Sequence, residues 1–324
     1  LMEELVRGNV KSGMGGLPQK IIDLITKEIK ANFTLLVKLV VIVFLSSFIK
    51  NLQGSFREST VGELAYFSCY AAVVTILALG FRNVLEYARE VLGLIDKITG
   101  FAIPAMIALL ISGGNFVSGS ALQPILLFAM QGTVKIFNNV FLPLCLMAGI
   151  LYIISGLSEK IKITGMAEFL KKTVVWGLGG ILSLYVSSVA IRGVAGAVTD
   201  GATTKTAKVA INALIPVAGK YMADAADTII SCALVIKNTA GLSIMIITLV
   251  VCLTPILKIF TISMFYRLAA AVVEPFADER FFDCLTSVAD CMKTILGVVG
   301  AAVFMFLLSI AALLGAGGVS GMMQ

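Results

Sequence analysis

Histidine is absent from all 324 residues. That removes the commonest general base and the commonest metal ligand together. Charge is scarce as well: Asp, Glu, Lys and Arg make up only 14 % of positions. A soluble domain of this length carries far more, so a water-soluble globular fold is excluded. Neither GxSxG, GxxxxGK(S/T) nor an intramembrane GxGD-like aspartate pair occurs, so the familiar hydrolase and nucleotide-binding sites have no anchor here. No catalytic residue, cofactor or metal is therefore expected. Six cysteines (Cys69, Cys145, Cys232, Cys252, Cys284 and Cys291) form no CxxC pair. Cys284 and Cys291 lie seven residues apart, on one helical face, where apolar packing is the expected role. No basic patch with interleaved aromatics appears, so nucleic acid is not an expected partner. The chain opens at Leu1 without a visible signal peptide, which suggests a processed or excerpted form.

What remains is apolar. Hydrophobic residues fill 59 % of the chain, and the mean hydropathy is +1.00. This composition describes an all-α, polytopic integral membrane protein with the lipid bilayer as its first partner. The net charge of +6 fits contact with anionic headgroups.

Residues 1–30 read as an extramembrane segment whose apolar positions in 21–29 predict an interfacial helix. A first span follows at 31–49, containing Lys38, which either faces protein or water or snorkels to the interface. The second span is 61–80. Residues 81–99 place Val84, Leu85, Ala88, Val91, Leu92 and Ile95 at helical spacing among charges, predicting an amphipathic helix on the membrane surface or on a partner. The apolar runs 101–111 and 121–130 are each too short to span and predict a re-entrant hairpin around Gly113-Gly114. Full spans return at 136–157, 173–191, 242–266 and 294–314, with a second hairpin at about 213–237. The expectation is thus about six full transmembrane helices plus two re-entrant or broken-helix hairpins within 31–314, and a tail at 315–324. The loop 158–172 holds four lysines and leans cytoplasmic.

Two prolines per copy support an internal duplication, with repeats at 61–157 and 173–266. Pro216 and Pro255 follow Pro104 and Pro143 by the same 112 residues. All four are expected helix kinks. The second hairpin adds Lys220, Asp224 and Asp227 at spacings of four and three, where the first copy has uncharged Ala108, Ser112 and Asn115. Those three charges share one helical face. Three readings stay open for them: a solvated face, a partner-docking surface, or an ion or solute path.

Three idiosyncratic runs carry a resemblance: IPVAGKYMADAADTIISCALVIKNTAGLSI at 215–244, VTDGATTKTAK at 198–208, and YRLAAAVVEP at 266–275. They resemble the stage III sporulation protein AE family of endospore-forming bacteria, from about residue 20 onward. The resemblance implies a multi-pass protein of the mother-cell membrane around the forespore. It also implies partners, namely other membrane and ring-forming subunits of a secretion-like transenvelope channel, with self-association as a further option. The family has no agreed catalytic residues to carry over. Repeats and broken helices alone suggest instead a secondary transporter or permease.

Overall fold

The computed structural model describes residues 17–53, 60–113, 115, 125–156, 163–214, 219–276 and 279–315. All regular structure among these residues is helical. In chain order the elements are α1 (Leu17–Gln53), α2 (Thr60–Ser112), α3 (Met130–Ile136), α4 (Leu142–Ser155), α5 (Thr164–Leu214), α6 (Gly219–Val273) and α7 (Glu279–Gly315). Two π-turns, Ile125–Ala129 and Phe137–Phe141, lead into α3 and α4. The chain is an all-α polytopic membrane protein. Five stretches are long and apolar enough to cross a bilayer: Phe67–Ser112, Leu126–Ser155, Thr164–Ile191, Ser231–Val273 and Arg280–Gly315. Each contains or largely overlaps one of the spans expected from 61–80 onward. The expected first span, 31–49, lies in α1, whose apolar stretch Leu36–Phe48 is shorter than these five. Lys38 is exposed, so the chain itself does not cover it.

The helices are longer than apolar run length suggested. α2 has 53 residues, about 80 Å of helix against a hydrocarbon core of roughly 30 Å. It absorbs the second span, the amphipathic segment 81–99 and the first arm of the first hairpin. The segment 81–99 is therefore not a separate helix lying on the surface. Its stripe of Val84, Leu85, Ala88, Val91, Leu92 and Ile95 is between 0 and 5 % exposed, packed inside the chain. No proline or capping residue interrupts it at Gly80-Phe81, and hydrogen bonding simply continues. The first arm of the first hairpin is likewise the end of a long helix, and the described part of its second arm opens the helical stretch Leu126–Ser155. The same holds for the described part of the second hairpin, because α6 runs unbroken from Gly219 through Lys237 to Val273. Residues 164–172, expected in a loop, form the first turns of α5 and are tied by a Glu168–Lys172 ion pair at 2.9 Å.

Prolines are handled in two ways. Pro104 and Pro255 sit inside α2 and α6, which continue through them. Pro143 follows a π-turn instead. Its ring lacks the N–H that would reach Asn139 and crowds that carbonyl. Widening the turn relieves this, and the Leu142 N–H donates to the Phe137 carbonyl five residues back.

Two compact units can be distinguished, and long helices contribute to both. One comprises residues 1–88, 144–172 and 254–296; the other, 89–143, 173–253 and 297–324. In the first, buried tyrosines serve as hydrogen-bond donors to backbone. Tyr70 donates to the Ile153 carbonyl at 3.3 Å and stacks at a tilt on Phe281. Tyr266 donates to the Ile76 carbonyl at 3.1 Å. That approach depends on Gly80, since a Cβ there would overlap the Tyr266 hydroxyl. In the second, Tyr185 shares a hydrogen bond with Ser309, and the Phe137 and Phe141 rings stack 5.3 Å apart. The end of α2 is closed locally: Ser112 donates to the Ala108 carbonyl and the Asn115 amide to the Gly113 carbonyl.

Gly80→Val should displace the Tyr266 ring and destabilise the protein by about 1–3 kcal/mol, the usual cost of overpacking a tight contact. Gly300→Ala, where a Cβ meets open space, should leave stability unchanged. Heat unfolding in detergent compares the two.

Candidate functional site

Lys220, Asp224 and Asp227 all fall in the first turns of α6, so the helical spacing that places them on one face is present in the backbone. Their side chains, and Pro216 as a whole, lie outside the described residues. Of the other candidate kinks, Pro104 is exposed, Pro255 is buried, and Pro143 is the second residue of α4.

The feature that run-length reasoning passed over is Lys237. Its side chain is 0 % exposed although it lies within an apolar span. A bare ammonium there costs several kcal/mol, so it needs partners. They come from the far end of the chain. The last four carbonyls of a helix have no intrahelical donor, and α7 ends at Gly315. Lys237 Nζ donates to two of these, Leu313 and Leu314, at 3.2 Å each. The positive charge also meets the negative end of the α7 dipole. One helical turn further along α6, Gly241 makes the close approach possible: a Cβ there would meet the side chains of Leu314 and Met106. Lys237 therefore acts as a C-cap supplied from another helix. The sequence carried one signal for it, a lone lysine in an otherwise apolar run, which marked only the end of the expected second hairpin.

The other cations in named contacts are part-exposed. In the first unit, Arg267 Nη1 contacts Asp290 Oδ1 at 2.6 Å, and Lys293 Nζ lies 3.8 Å from the same oxygen. All three are part-exposed, so the pairs contribute only about 0.2–1 kcal/mol each to the fold. Lys258 lies three residues past Pro255 on α6. Its ammonium sits 4.8 Å from the centroid of the Tyr87 ring. Lys171 covers Tyr152 in the same way, at 5.7 Å. Among the described residues no group of three His, Cys, Asp or Glu is placed to hold a metal ion. All six cysteines are free, with Cys284 and Cys291 buried.

These features define a class: a multi-pass helical membrane protein in which Lys237, Tyr70 and Tyr266 donate to backbone carbonyls of other helices. The comparisons carry it further. A family model described as stage III sporulation protein AE matches residues 1–317. The stage III sporulation protein AE of Bacillus subtilis (strain 168) is 31 % identical over 297 residues, covering 92 % of this chain and 74 % of that relative. No solved structure matches. The chain belongs to the stage III sporulation protein AE family, a sporulation family and not a known enzyme family.

Lys237→Met should leave the Leu313 and Leu314 carbonyls unmatched in apolar surroundings, at about 1–3 kcal/mol per orphaned group. Lys258→Met, which loses only a contact with the Tyr87 ring, should cost about 0.5–1 kcal/mol. Apparent melting temperatures of the two variants in one detergent check the order.

Proposed function

We propose that this chain is a platform subunit of a secretion-like transenvelope channel complex linking mother cell and forespore, working in the mother-cell membrane and needed for late forespore development. Its role is to hold other membrane and ring-forming subunits, not to catalyse a reaction. Family membership along nearly the whole chain supports the sporulation setting. The observation that favours a platform over a permease is Lys237. A transport path needs ionisable groups that can change partner or protonation as cargo passes. The buried cation among the described residues is instead committed to closing the end of α7. α5 suits a subunit that meets neighbours, because it is the least buried of the five apolar stretches and turns Trp176, Leu184 and Ile191 outward.

On this reading Asp224 and Asp227, with Lys220 one turn away, form a docking face on the first turns of α6. Asp224→Lys with Asp227→Lys should leave the protein inserted and abundant in the membrane. It should weaken co-purification with the complex and reduce sporulation. Normal co-purification with lost sporulation would instead favour a solute path through this segment. Normal results in both assays would make the face merely solvated.

A further inference from the structure

Two grooves in the first unit share one ridge. The ridge is the face of α6 bearing Phe260, Met264 and Leu268, each about half exposed. On one side, Arg267 and Ala271 of α6 and Lys293 and Leu296 of α7 border a cleft of about 500 Å³. On the other, Leu257, Thr261 and Phe265 meet Ile29 of α1 around a narrower cleft of about 190 Å³. The linings are almost wholly apolar except at one end of the wider groove, where Arg267 and Lys293 stand.

The level of that end matters. Arg267 is the first charged residue of α6 after Lys258, and Lys293 is the last charged residue of the sequence, each within one of the stretches Ser231–Val273 and Arg280–Gly315. α6 and α7 are joined through the turn at 274–276, and Arg267 pairs with Asp290, so both helices reach the same height there. A part-exposed cluster of two cations and a carboxylate is accommodated far more cheaply at the edge of a hydrocarbon region than at its centre. Phe260 and Leu257 lie two to three helical turns deeper. Asp290 neutralises one of the two cations, and the trio keeps one net positive charge.

We propose that these grooves hold one anionic diacyl phospholipid, its phosphate on Arg267 and Lys293 and one acyl chain on each side of the ridge formed by Phe260, Met264 and Leu268. The paired cations match a phosphodiester in charge and in donor geometry, since guanidinium and ammonium both bind phosphate oxygens. The ridge separates two apolar channels, as the two tails of one lipid require. Asp290 holds both cations in place and limits the attraction, so the site selects an anionic headgroup without trapping it.

Native mass spectrometry of the full chain, released from detergent with phosphatidylglycerol or phosphatidylcholine of identical acyl chains, tests this. Phosphatidylglycerol should stay bound at activation energies that strip phosphatidylcholine. Single-chain lysophosphatidylglycerol should be held more weakly than the diacyl lipid. Arg267→Gln with Lys293→Gln should lower phosphatidylglycerol retention by about thirtyfold, the effect of removing two cations from an anionic headgroup. Asp290→Asn should raise retention, and this gain cannot be produced by misfolding. Arg82→Gln with Arg89→Gln, at exposed arginines elsewhere on α2, should change nothing. Equal retention of the two diacyl lipids, or equal loss from both double variants, would overturn the proposal, as would an Asp290→Asn variant that binds no more lipid than the native chain.

Discussion

A bilayer interior offers no water to a free carbonyl, and each unmatched backbone group there costs several kcal/mol. The contact that answers this most fully is Lys237 on the Leu313 and Leu314 carbonyls. It joins α6 to the end of α7, matches a buried charge to two orphaned acceptors, and fixes the position where Gly241 lets the two helices touch. Other interior contacts follow the same rule. Tyr70 and Tyr266 bring hydroxyls to the Ile153 and Ile76 carbonyls. The π-turn at Phe137–Phe141 reroutes the bonding that Pro143 would break.

Polar groups used in this way are structural, and that bears on function. A buried ammonium and tyrosine hydroxyls engaged between helices make a firm frame, with charge clustered elsewhere. The charged clusters are part-exposed: Arg267, Asp290 and Lys293 between α6 and α7, and Lys171 over Tyr152. Long helices extend such sites past the hydrocarbon region. α2, α5 and α6 exceed 50 residues each, so each can both span the membrane and project from it. A subunit that anchors a larger assembly needs both properties.

The fold class was legible from composition, because 59 % hydrophobic residues with so little charge leave few alternatives. The apolar cores of five helices were legible for the same reason. Their true lengths were not. Counting apolar residues ends a helix where charges begin, whereas the backbone of α2 continues through Arg82, Glu86, Arg89 and Glu90 on its polar face. Helical spacing identifies the stripe Val84, Leu85, Ala88, Val91, Leu92 and Ile95 as one face of a helix, but not as buried, since its covering residues are distant in sequence. Lys237 was visible only as a charge in an apolar run. Its acceptors lie 76 and 77 residues away, and a backbone carbonyl has no sequence signature.

The cap itself can be observed directly. A protein assembled with ¹³C=¹⁸O labels at the Leu313 or Leu314 carbonyl and reconstituted in lipid would separate each group's infrared band from the rest of the helix. Both carbonyls belong to the last turn of α7, where intrahelical donors run out. If Lys237 donates to them, each labelled band appears at the lowered frequency of a strongly hydrogen-bonded carbonyl. Bands at the frequency of a free carbonyl in an apolar medium would contradict the account, because the buried ammonium would then be left for some other role, including transport.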